Sequence, residues 1–224
     1  AGISLSAAGS PLGKTGIEDS FEKHFEEFKR AVEVAHKMEC KNIRMFSFYI
    51  PEGMREKYKG KVFEQIGRFV DYAAANDVVL LHENEKGIYG EMAKECRELM
   101  DEFYGEHFKA VFDFANFVQA GQDTMEAYEL LEKYIACIHV KDALAVNGNV
   151  VPAGMGDGNV AAILKDLYAG GYQGFLSLEP HLFQFSGFAG LERGEQLASG
   201  KKTLSGAEAF ELAHKSLIKI LTEI

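Results

Sequence analysis

Hydrophobic positions in this chain follow two alternating periods. Short runs rich in β-branched and aromatic residues predict six strands: GISLSAA (2–8), NIRMFSFYI (42–50), VVLLHEN (78–84), FKAVFDF (108–114), IACIHVK (135–141) and GFLSLEP (174–180). Between them the apolar residues return every three or four positions, as a helix with one buried stripe requires. Phe21, Phe25, Phe28, Val32, Ala35 and Met38 form the first such stripe. Val62, Ile66, Phe69 and Tyr72 form the second, in a helix that starts near Arg55 or Lys61 and stops at Asn76. Further helices are predicted near Tyr89 to Phe103 and Asp123 to Tyr134, and from a cap at Asn159 to Gly170 and Gly171. Ser205 and Glu208 form a capping box for the last one. Repeated strand–helix units imply a parallel α/β sheet covered by helices, read here as a single domain over residues 1–224.

Composition narrows the class. A chain of 224 residues, 47% hydrophobic, can bury a substantial core. Its net charge of -10 argues against a broad nucleic-acid footprint. Cys40, Cys96 and Cys137 are odd in number and widely spaced, which indicates neither a disulfide framework nor a structural zinc site and fits a reducing compartment. No apolar run approaches the roughly 18 residues that a membrane span needs, and the first residues lack the plan of a signal peptide. The expectation is a cytoplasmic protein that binds neither nucleic acid nor membrane.

Chemistry collects where the predicted strands end. LLHENE, AVFDFANF, CIHVKD and LSLEPH all turn from apolar to ionisable at their carboxyl ends. Side chains alternate along a strand, so Glu83 shares a face with Leu81, Asp113 with Val111, His139 with Cys137, and Glu179 with Ser177. Four successive strands can therefore aim Glu, Asp, His and Glu at one place, on the side of the sheet where parallel α/β folds bind ligands. Three carboxylates gathered without a cation repel one another, and a divalent metal relieves this. Mixed carboxylate and imidazole ligation makes Mn2+ the first expectation, with Mg2+, Co2+ and Zn2+ as alternatives.

These strand ends resemble the sugar phosphate isomerases and epimerases with the xylose-isomerase-like TIM barrel. The HVKD segment, the glycine-rich turn after it and the GYQGFLSLE ending carry the same likeness, which runs over nearly the whole chain. The resemblance implies one divalent metal held by Glu83, Asp113, His139 and Glu179. It implies a sugar or sugar phosphate substrate, with isomerisation or epimerisation by proton transfer through an enediolate and Glu83 and Glu179 as the catalytic acid and base. Lys141, Asn116 and His181 are the candidate substrate contacts; Lys141 is equally suited to pair with Asp142. A keto-polyol dehydratase on the same scaffold is the alternative enzyme, and a silent sugar-binding barrel fragment the non-enzyme alternative.

The likeness also has gaps. Asn116 stands where the related apurinic endonucleases and ketohexose epimerases carry a His, so neither of those activities is expected. Six βα units are visible where a closed barrel has eight; the first two are expected to be missing, so the chain is read as a fragment, an open barrel or one completed by a partner, and the open edge is expected to be covered by another chain, with a homo-oligomer among the candidates, or by the long loop near Phe185. That loop, Phe183 to Leu204, is read as a lid or an insertion. The stretch VPAGMGDGNV (151–160) is read as a connecting turn with an alternative role in anion binding. His24, His36, His107 and His214 are read as ordinary surface residues.

Overall fold

A computed structural model describes residues 2–182 and 204–224. The strands are β1 (Ala8–Leu12), β2 (Asn42–Met45), β3 (Val79–Glu83), β4 (Phe108–Asp113), β5 (Ile135–Val140), β6 (Asp142–Ala143), β7 (Val150–Val151) and β8 (Phe175–Leu178). The helices are α1 (Phe21–Lys37), α2 (Arg55–Ala75), α3 (Ala93–Phe103), α4 (Phe114–Gln119), α5 (Thr124–Leu131), α6 (Val160–Ala169) and α7 (Gly206–Glu223). Six parallel strands make one sheet in the order β1-β2-β3-β4-β5-β8, and β6 and β7 form a separate antiparallel pair. Among the described residues, no helix is long and apolar enough to cross a membrane. Two compact units are distinguished, Ala1–Val111 with Lys133–Cys137, and Phe112–Glu132 with Ile138–Ile224.

In the first unit the helical periodicity translates directly into packing. The stripe of α1 buries Phe28, Val32 and Ala35, that of α2 buries Val62, Ile66, Phe69 and Ala73, and the Phe28 and Phe69 rings meet edge to face at 5.0 Å. Fully burying such a side chain is worth roughly 1.5–3 kcal/mol, so these burials contribute substantially to holding both helices in place. His24 belongs to the seam as well. It is buried, not on the surface, and its Nε2 accepts the N–H of Gly13 at 2.8 Å.

The first strand lies further along than its pattern predicts. Ile3 and Leu5, which the alternation of GISLSAA assigns to a strand, are 83% and 46% exposed. The ladder instead runs over Ala8–Leu12, and the Ser10 hydroxyl donates to the Arg44 carbonyl. Pro11 cannot donate to a ladder, which is tolerable here because β1 ends the strand order and needs a partner on one side only.

Gly90 interrupts the helix predicted from Tyr89. A 3-10 turn over Tyr89–Glu91 kinks there, before α3 begins at Ala93. A Cβ on Gly90 would stand 2.5 Å from His82 Cε1 and 3.0 Å from Ser47 Oγ. Gly90→Ala is therefore expected to destabilise the protein by about 1–3 kcal/mol through overpacking, read as a lower urea midpoint.

The second unit contains two elements that periodicity did not reveal. Helix α4 follows β4 without a loop, with Asp113 as its N-cap accepting the Asn116 N–H at 2.8 Å. The pair β6–β7 packs on α4 through Ala143, which joins Ala115 and Val118 in a small apolar cluster. Helix α7 opens with the expected capping box of Ser205 and Glu208. Asn159 stands at the start of α6 but in the left-handed region, φ 53, and its side chain donates to Thr124 Oγ1 instead of capping the helix. The lid expectation for 183–203, including Phe185, lies outside the described residues.

Candidate metal centre

The layer beneath the strand ends positions the chemistry. In the first unit Leu81 of β3, Val111 of β4 and Cys137 of β5 pack together, with Ala7, Val79 and Ala136 against them. Two residues further along the same three strands come Glu83, Asp113 and His139, on the same face because the pleat has a period of two. In the first unit this apolar cluster lies on the face of β3 from which Glu83 emerges.

Glu83 ends β3 in the first unit and is 2% exposed. Arg44 lies beside it, one guanidinium nitrogen 3.2 Å from Oε2. In the β3–β4 register Glu83 faces Val111. Its neighbour His82 turns to the opposite face, where Nε2 meets Ser47 Oγ at 3.0 Å. Burial pushes the His82 imidazole down to a pKa of about 4 against the opposing pull of the Glu83 charge, so it is neutral at physiological pH.

The second unit brings three of the expected residues together. Asp113 is fully buried at the end of β4, and the Lys141 ammonium stands 3.5 Å from its Oδ2. His139 Nδ1 is 3.2 Å from Glu179 Oε1. Asp113, His139 and Glu179 each offer a ligand atom within 4.8 Å of the others. Asn116 is buried on the first turn of α4, linked to Asp113 through its backbone N–H. His181, two residues past Glu179, adopts φ 38. Two carboxylates and an imidazole gathered this closely, with Glu179 only partly buried, fit a hard or borderline divalent cation, whose charge would offset their mutual repulsion.

The glycine-rich stretch has a role that the sequence concealed. The carboxylate of Asp142, itself fully buried, accepts the N–H groups of Ala143 and Gly158 on Oδ1 and those of Gly154 and Gly156 on Oδ2, at 2.9–3.0 Å. The loop thus wraps an anion, but one supplied by the chain itself. Cβ atoms at 156 and 158 would stand 2.4 and 2.7 Å from Asp142 Oδ1, which accounts for glycine at both positions. The signal was present as three glycines at two-residue spacing, all following an acid on the preceding strand end.

Arg44 is the other residue that pattern reading passed over. It sits inside a predicted strand, where a lone charge reads as an outward position, yet Arg44 reaches an interior carboxylate.

Comparison with known proteins shows the family by sequence and the fold by structure. Residues 1–204 match the xylose isomerase-like TIM barrel family. No curated protein matches the chain by sequence. Among solved structures, the chain is similar to the probable 3-DHS dehydratase AsbF, involved in petrobactin synthesis, from Bacillus anthracis, with 18% identity, 78% of this chain and 69% of that one covered, and a TM-score of 0.65. It is similar to a xylose isomerase-like TIM barrel protein from Mycobacterium smegmatis in complex with magnesium, at 16% identity, 99% and 74% coverage, and TM-score 0.66. It is also similar to the 3-keto-D-glucoside 4-epimerase YcjR from E. coli, at 15% identity, 99% and 80% coverage, and TM-score 0.68. Identities this low speak for the fold alone. The family match extends over most of the sequence, and the chain belongs to the xylose isomerase-like TIM barrel family.

Proposed function

We propose that this protein is a divalent-metal-dependent isomerase or epimerase of a sugar or sugar phosphate, with Glu83, Asp113, His139 and Glu179 as the metal ligands. The observation that carries this reading is the convergence of Asp113, His139 and Glu179 in the second unit. Glu83 is read as the fourth ligand from its own strand end: it closes β3 as Asp113 closes β4. The donor set, all oxygen and imidazole, makes Mn2+ the first choice.

A proton beside a ketone or aldehyde is too weakly acidic for a carboxylate to remove unaided. When bound, the metal supplies Lewis acidity toward the substrate carbonyl and its neighbouring hydroxyl. Glu83 and Glu179 are the base and the acid. One takes the proton from carbon, leaving the electron pair in an enediolate, and the other returns a proton. Return to the opposite face of the same carbon inverts the centre; return to the neighbouring carbon exchanges ketose and aldose. Their different surroundings, Arg44 beside Glu83 and His139 beside Glu179, suit the two carboxyls to opposite roles. Asp113 and His139 chiefly hold the ion. Lys141, Asn116 and His181 contact the substrate, Lys141 steadying a developing oxyanion from its place beside Asp113.

The same deprotonation also begins a dehydration, so the products separate isomerase from lyase: only the lyase yields a new double bond or a deoxy-ketone. The metal itself is tested by elemental analysis after reconstitution with Mn2+ and dialysis. About one ion per chain is expected, falling when Asp113 or His139 is replaced by Ala. A protein that retains no metal, or retains it equally without those side chains, would sink the proposal.

A further inference from the structure

The first unit carries two partly buried cations, Lys14 and Arg44, to which the proposed chemistry assigns no contact with the substrate. The face of β3 from which Glu83 emerges is apolar, built from Ala7, Val79, Leu81 and Val111. Arg44 of β2 rises from this surface to Glu83, with its guanidinium 5.2 Å from the centre of the Phe46 ring. Lys14, two residues past the end of β1, places its ammonium 4.4 Å from the same ring and 2.8 Å from Glu85 Oε2. Phe46 is fully buried, and the Lys14 and Arg44 side chains are only 12% and 25% exposed.

Placing two like charges on one buried ring is costly when the purpose is only to hold strands together. The leucine and valine positions beside them do that without any desolvation penalty. Withdrawn cations at the carboxyl ends of parallel strands are instead what recognition of an anionic group requires: Arg offers a planar fork and Lys a point charge. Each cation is already paired, Lys14 with Glu85 and Arg44 with Glu83, so an incoming anion would share Arg44 with Glu83 and exchange with Glu85 at Lys14. A carboxylate that ligates a divalent ion has its charge largely offset, and Glu83 would then neutralise Arg44 less completely.

We infer that Lys14 and Arg44, standing on Phe46, form an anion-recognition subsite, and that the substrate carries a phosphate or carboxylate group at the end held there. The inference rests on reading the strand ends as a substrate site, and it names the substrate's class. Lys14 and Arg44 are specificity residues that bind the remote anion, outside the proton transfer.

The test measures binding of inorganic phosphate, malonate and D-fructose to the Mn2+-loaded protein by calorimetry at matched ionic strength. Metal content is followed separately, and thermal midpoints verify that each variant is folded. Phosphate or malonate is expected to bind, the preferred one telling whether the substrate is a phosphate ester or a carboxylate. Lys14→Met and Arg44→Met should each weaken that anion at least ten-fold, with Arg44→Lys recovering part of the loss and D-fructose unaffected. Lys14→Met keeps the test decisive if Arg44→Met disturbs Glu83. Anion affinities within two-fold of the unsubstituted protein in both Met variants, or no anion binding at all, would overturn the inference. Full metal content with no anion binding would leave the metal reading standing alone. Anion binding through these two side chains in a protein that holds no metal would do the reverse.

Discussion

Replacing Glu179 by Gln is expected to lower solvent-deuterium incorporation beside the substrate carbonyl by about 10²–10⁴-fold, the usual contribution of a positioned acid or base. The amide keeps an oxygen that can ligate a cation but neither accepts nor delivers a proton at neutral pH. Metal content should consequently fall far less than exchange. The measurement incubates the Mn2+-loaded protein in D2O with a panel of keto-sugars, keto-sugar phosphates and keto-acids and follows the carbon-bound proton by NMR. Metal content is assayed on the same samples. Turnover that survives Glu179→Gln would remove the acid–base role from this residue. Turnover without any solvent label, with rapid internal return of the proton excluded, would favour hydride transfer over the enediolate route. His139, whose Nδ1 is 3.2 Å from Glu179, offers a contrast. His139→Ala should lose metal and exchange together, because its proposed part is to hold the ion.

A second large effect is expected on stability instead of proton transfer. Asp142→Asn should destabilise the protein by about 3 kcal/mol or more, since each hydrogen bond to a buried charge is worth roughly 1.5–3 kcal/mol. The carboxylate accepts four backbone N–H groups. An amide presents one acceptor and one donor, so Asn leaves two of those N–H groups facing an NH2. For a chain of this length, such a loss corresponds to a thermal midpoint lower by roughly 6–12 °C. The consequence reaches the candidate site because Asp142 follows Lys141 and anchors the loop from Gly154 to Gly158. A thermal midpoint within 2 °C of the unsubstituted protein, about the shift that a loss below 1 kcal/mol produces, would show that the cradle contributes little.

Much of this architecture is legible in the sequence because burial leaves a periodic trace. The stripes Phe28, Val32, Ala35 and Val62, Ile66, Phe69 are spaced at helical steps, and α1 and α2 bury those residues. The runs before Glu83, Asp113 and His139 are apolar on both faces, as strands covered by helices must be. The shift of β1 from GISLSAA to Ala8–Leu12 has a physical cause. Alternation describes which faces a strand could offer, whereas pairing with β2 decides which segment becomes the strand.

The proposed ligands are visible for a related reason: a polar residue at the end of a buried run interrupts a pattern. That each shares a face with the apolar residue two positions before it needs only the pleat. What the sequence alone determined, then, is the succession of strands and helices, the buried faces, and the strand ends at which acids and an imidazole emerge, because these follow from periods of 2 and 3.6 residues. Only the tertiary structure decided which charges meet. Lys141 stands beside Asp113, the Asp142 carboxylate is wrapped by the glycine loop, His24 is buried against Gly13, and Arg44 reaches Glu83. Each of these, apart from the local turn at Asp142, joins residues separated by 11 to 39 positions, and pairings at such distances depend on strand register and side-chain direction, which leave no period in the chain.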